Sequence, residues 1–154
     1  MAFAGSLCWG LAMCASAAFT LWNRTGWHSA ELAQVMLLYF LGGALAFLPA
    51  LFLARFVGLD RPFGARFAAH FLALSIATVG LTAFLFALDY RTYYAQWHGH
   101  DLSLLWAFQF VFTVLAAVYQ FAVVGLGLYL PLGGLALVAA SIMMAARPPG
   151  RPVR

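Results

Sequence analysis

Two histidines and an aspartate stand within four positions of one another in DYRTYYAQWHGHD, residues 89–101. Neutral imidazoles and a carboxylate suit zinc or copper, and three or four such ligands close a site. His98, His100 and Asp101, joined by His28 and Glu31 from an earlier polar stretch, would supply that number. Histidines two residues apart cannot share one face of a helix, so the site would need extended backbone. The competing reading treats the same stretch as the wet end of a membrane helix. Continued as helix, Tyr90, Tyr94, Trp97 and Asp101 fall on one face. Tyrosine and tryptophan concentrate at the headgroup level, where an apolar body and a polar tip are both solvated. Trp22, Trp27 and Trp106 fall near the same boundary and complete a belt. One His-x-His pair is a weak metal signal, and the aromatic belt is the reading adopted.

Uncharged polar side chains carry the next candidate chemistry. Ser75, Thr78 and Thr82 recur at helical spacing in one apolar run, and Gln109, Thr113 and Gln120 in another. Such stripes either bond across helices, for ~0.6 kcal/mol each, or line a cavity for a small polar or lipid-soluble ligand. Small residues at four-residue spacing, Gly10 with Cys14 and Ala18, and Gly42 with Ala46 and Ala50, favour close helix packing. On either reading the glutamines should face protein. His70 has no histidine partner in another apolar run, so a bis-histidine haem is not expected. Snorkelling to the interface, or a bond to a neighbouring helix, is. Pro49 should bend its helix. Cys8 and Cys14 would sit ~9 Å apart on a helix, too far for a disulfide.

Several classes of chemistry are missing. The chain has no lysine, which removes a Schiff base or a lysine general base. No Asp, Glu, Arg or Lys falls mid-run, as a proton- or sodium-coupled transporter or voltage sensor would need. No glycine-framed serine and no paired intramembrane carboxylates appear. An enzyme is therefore not expected, and neither is a bound cofactor. The scattered arginines form no nucleic-acid patch.

These residues need elements to hold them. The chain of 154 residues is 66% hydrophobic and only 8% charged, against about a quarter charged for a soluble domain. Lipid must solvate most of its surface. Apolar segments at about 2–22, 32–54, 67–88, 103–124 and 128–146 predict an all-α membrane bundle of four to five transmembrane helices. It would be a single transmembrane domain without a soluble part, ending in a short basic tail, 147–154. The first segment has no basic residue before it and reads as a retained helix, not a signal peptide. The uncharged run from residue 103 to Arg147 is too long for one helix and must turn back within GLGLYLPLGG, residues 125–134.

Topology brings a conflict. Arg55, Arg61 and Arg66 mark the second loop as cytoplasmic by the positive-inside rule. The tail RPPGRPVR also belongs in the cytoplasm, which demands an even number of crossings, and five segments give an odd one. Either the tail breaks the rule or one segment is re-entrant. The function expected is a small bacterial inner-membrane protein acting through helix–helix contacts. It would serve as an accessory, assembly or stabilising subunit of a larger membrane complex, or as a homo-oligomer, with lipid and a membrane protein as partners. The alternatives are a permease or channel for an uncharged or lipid-soluble solute past Gln109, Thr113 and Gln120, and a metal-handling role at His98 and His100.

Overall fold

The computed structural model describes residues 2–25, 32–58, 60–95 and 103–146. They form helices α1 (Ala2–Thr25), α2 (Leu32–Gly58), α3 (Phe63–Ala95), α4 (Leu104–Gln120) and α5 (Leu132–Ala146). Past α4 the chain continues through a π-helical turn, Phe121–Gly125, and a 3-10 turn, Leu126–Tyr129. No strand occurs among the described residues. The helices α1, α2 and α3 and the run Leu104–Tyr129 are long and apolar enough to cross a bilayer. The 15 residues of α5 reach only ~22 Å. The helix α3 outruns its apolar segment at both ends, because helical bonding continues through Asp89, Arg91 and the tyrosines once the hydrocarbon has ended.

Small residues set how the helices meet. At Gly10 a Cβ would come within 2.7 Å of the Phe40 carbonyl oxygen, and at Gly43 within 3.1 Å of Gly10 Cα. The backbones of α1 and α2 therefore touch where both lack side chains. On the other flank of α2, a Cβ at Gly42 would overlap the Thr82 hydroxyl of α3. Ser6 adds a hydroxyl bond to the Ala44 carbonyl of α2. The helix α2 is thus sandwiched between α1 and α3, and α5 packs against both of those. The core holds Trp9, Met13, Tyr39, Phe47, Leu74, Phe121 and Leu128. Pro49 lies within α2 without ending it and opens onto a shallow apolar trough of about 270 Å³ with Ile76 and Gly80. A tight turn joins α2 to α3, with Arg61 N–H donating to the Gly58 carbonyl and Asp60 at a φ of 54°.

Register places α4 and α5. Pairing Gly10 with the Phe40–Ala44 turn, and Gly42 with Thr82, sets Ser16 roughly level with Ala87 of α3, and Thr20 with Arg91. Leu128 and Leu130 are hydrogen-bonded to Ser16 and Thr20, so the α4–α5 turn lies near the end of the bundle where α1 and α3 finish. The beginning of α4 is there too. Arg91 stacks its guanidinium on Phe110 at 4.6 Å, and on Trp106 at 6.0 Å. From Arg91 to Thr82 is ~14 Å of helix, whereas Phe110 to Tyr129, which bonds Thr82, is ~29 Å. The run through Tyr129 therefore cannot lie straight along α3, against which α4 packs. It crosses obliquely, and both its ends sit at the aromatic end of the bundle. From Gly133 beside Ser16, α5 runs toward the opposite end, since α3 is buried at His70, Ala73, Leu74 and Thr78 but exposed at Leu88, Thr92 and Tyr93.

Candidate functional site

The irregular stretch 121–131 interrupts backbone bonding inside an apolar protein, where each free carbonyl or amide costs several kcal/mol. Hydroxyls from other helices meet that cost. Tyr39 of α2 donates to the Gly125 carbonyl at 2.6 Å. Ser16 of α1 donates to the Leu128 carbonyl at 3.0 Å and accepts from Gly133 N–H at 2.9 Å. The Thr20 hydroxyl lies 2.6 Å from the Leu130 carbonyl oxygen and 3.0 Å from that of Ser16. Tyr129 donates to Thr82 Oγ1 at 2.7 Å, and Thr82 to the Thr78 carbonyl at 2.8 Å. Trp9 Nε1–H donates to Thr78 Oγ1 at 2.9 Å. Among the described residues no buried side-chain polar atom is left without a partner. The chain reverses across a cis Leu130–Pro131 bond. Where α1 ends, the Arg24 guanidinium overhangs Gly127, where a Cβ would come within 3.0 Å of it.

The residues singled out from the sequence are dispersed. Thr78 and Thr82 are buried and bridge helices, but Ser75 is half-buried and bonds its own Phe71 carbonyl at 2.7 Å. Thr113 likewise donates to the Gln109 carbonyl one turn back, at 2.6 Å, and both residues are half-buried. Gln120 is exposed on the chain's own surface, beside a recess that residues of α2 and α3 also line. His70 is buried and bonds the Arg66 carbonyl of its own helix at 2.8 Å, not a neighbouring helix. Of the belt, Trp22 and Tyr94 are exposed and Tyr90 and Trp106 half-buried, with the Tyr90 and Tyr94 rings 4.6 Å apart. Gln34 Nε2–H donates to Asp89 at 2.9 Å on that end. Ser103 caps α4 by accepting from Trp106 N–H at 3.1 Å. Both cysteines are free thiols. His28, His98, His100, Asp101, Glu31, Trp27 and Trp97 lie outside the described residues.

Ser16, Thr20, Tyr39 and Tyr129 were not anticipated. Their signal was a serine–threonine pair one turn apart, a tyrosine well inside an apolar run, Tyr39, and another within the glycine–proline turn, Tyr129. Burial of a tyrosine hydroxyl there implies a backbone group in need of a bond.

The least covered surface is α4 itself, where only Ala117 is buried. Tyr119 is 71% exposed, and Gln120 beside it is also exposed. Among the described residues neither side chain has a hydrogen-bond partner. Next to Gln120 a recess of about 150 Å³ is walled by Val35, Leu38, Tyr39, Phe86 and Val124. That is about half the smallest usual ligand pocket, ~300 Å³, and has room for one large side chain of a neighbouring helix.

Fold and composition together define a multi-pass α-helical membrane protein. No family model, no curated protein and no solved structure matches the chain.

Proposed function

We propose that the protein works by helix–helix contact within the membrane, as an accessory, assembly or stabilising subunit of a larger complex or as a homo-oligomer, with α4 as the contacting arm. The observation that carries this reading is Gln120, an exposed amide with no hydrogen-bond partner among the described residues, on an uncharged helix of which only Ala117 is buried. Lipid tails offer an amide no bond, whereas a neighbouring helix does. Tyr119 presents a second polar tip beside it, and the recess at Phe86 and Val124 is of a size to receive a partner's side chain. A solute path past Gln109, Thr113 and Gln120 has less support, since Thr113 bonds its own backbone and Gln120 opens outward. The bacterial inner membrane remains the setting proposed.

A photo-crosslinking residue at Val123 or Leu115, both exposed on α4, tests the reading in native membranes. Adducts to a membrane protein or to a second copy are expected, with Gln120→Leu lowering their yield about threefold or more. A monodisperse monomer in mild detergent, with no adducts and nothing co-purifying, would contradict it.

A further inference from the structure

The patch around Gln120 carries both halves of a contact. Tyr119, 71% exposed, projects its phenol ring outward from α4, with no hydrogen-bond partner among the described residues. Beside it the recess of about 150 Å³ opens between Val35, Leu38, Phe86 and Val124, with Gln120 at its rim. A protruding ring and a socket of the size of one large side chain thus stand on adjacent residues of one helix. The socket is walled with aromatic surface, since the Phe121 ring centre lies 6.0 Å from that of Phe86 and 6.4 Å from that of Tyr39. Such walls take a further ring edge-on or offset. Hydrogen bonding divides in the same way: the tyrosine hydroxyl can donate, and the glutamine amide oxygen can accept. Within one chain the two cannot serve each other, because consecutive helical residues do not face one another.

The membrane adds a constraint. Copies inserted in the same sense are related by an axis along the bilayer normal, so only groups at equal depth can meet across it. Tyr119 and Gln120 are separated by ~1.5 Å of helix, which puts ring and socket at one level. Every residue of the patch is uncharged, so two copies meet without like-charge repulsion. We propose that α4 pairs with α4 of a second copy as a reciprocal two-fold dimer. Each Tyr119 ring enters the other copy's recess, and its hydroxyl donates to the other copy's Gln120 amide oxygen. This rests on the reading of α4 as the contacting arm and names the partner. A different protein would have to supply the complement of this surface, whereas here the surface and its complement are on one chain.

Reciprocity supplies the test. Tyr119→Ala removes the ring, and Val124→Trp fills the recess from its rim; both positions are exposed, so the core is untouched. Full-length protein carrying one of two fluorophores is reconstituted in liposomes, and pairs are counted by colocalisation of single molecules. Native copies are expected to pair. Each variant alone loses both contacts and should pair about tenfold less, at about threefold for each contact. Mixed with each other, the two variants should regain about threefold. A Tyr119→Ala copy still has its recess, and a Val124→Trp copy still has its ring. Native copies that stay single would overturn the proposal. So would mixed pairs no more frequent than those of either variant alone, with native circular dichroism from both. Photo-crosslinking from Val123 or Leu115 separates this failure from that of the reading beneath it. Adducts only to a different membrane protein remove the second copy and leave α4 as the contacting arm, and a lack of any protein adduct removes both.

Discussion

Gly42 has room for a hydrogen and little else. A methyl group there meets the Thr82 hydroxyl and its Cβ, and Thr82 is itself held by Tyr129 and by the Thr78 carbonyl, so it has nowhere to go. Gly42→Ala is expected to destabilise the protein by about 1–3 kcal/mol, the usual cost of overpacking. In a Thr82→Ala background part of that cost should vanish, because the hydroxyl, the nearest obstruction, is gone while the Cβ remains 2.8 Å away, and unfolding in mixed micelles reads both. A Gly42→Ala cost unchanged by Thr82→Ala would contradict the contact. Tyr39 makes a different kind of contribution. Tyr39→Phe preserves its packing on Phe121 and Tyr129 but strips the Gly125 carbonyl of its donor. A loss of about 1 kcal/mol is expected, and an unchanged midpoint would show that the carbonyl finds another partner. Gly42 was legible in the sequence as one of a set of small residues at four-residue spacing. That it pairs with Thr82 was not, since spacing along one helix says nothing about which helix lies opposite.

At the scale of elements, length and hydropathy located all five helices, but neither one where α4 would lie. Hydropathy reports what solvates a segment, and a helix within one leaflet is solvated by the same hydrocarbon as one that crosses. The turn signal in residues 125–134 was real, yet helix persists through Tyr129 because hydroxyls from α1 and α2 take up the backbone groups that the π and 3-10 turns release. Ser16 is central to that arrangement, since it accepts from Gly133 and donates to Leu128. Ser16→Ala is expected to loosen the α4–α5 junction first, speeding amide exchange around Leu128–Gly133 at least tenfold while α2 and α3 remain protected. Uniform loss of protection across all helices would instead mean that the turn is no separate unit. Which protein surface Gln120 faces was not legible for a related reason, since it is exposed on its own chain. Stripe periodicity identifies a face, but which neighbour covers it depends on the angle at which the helix leaves the bundle.

The whole molecule joins a length scale to a charge pattern. Between Arg66 and Asp89, α3 has an uncharged stretch of ~33 Å, close to the ~30 Å of bilayer hydrocarbon. The bundle therefore has two defined ends, one at the α2–α3 turn with Arg55, Arg61 and Arg66 and one rich in tyrosine and tryptophan. The odd count of apolar segments left two alternatives, a tail that breaks the positive-inside rule or one re-entrant segment, and the position of the run after α4 is what bears on the choice. What fixes this arrangement is a handful of contacts far apart in sequence, Thr20 with Leu130 and Arg91 with Phe110 among them, and no local pattern encodes those. The most direct test is a distance. Spin labels at Asn23, where α1 ends, and at Leu126, close to Gly127 under the Arg24 guanidinium, report whether the far end of the α4 run lies at the aromatic end. Pulsed dipolar spectroscopy in liposomes should find them within ~20 Å of each other. A separation of ~30 Å or more, the thickness of the hydrocarbon, would place residue 126 across the membrane and contradict the account.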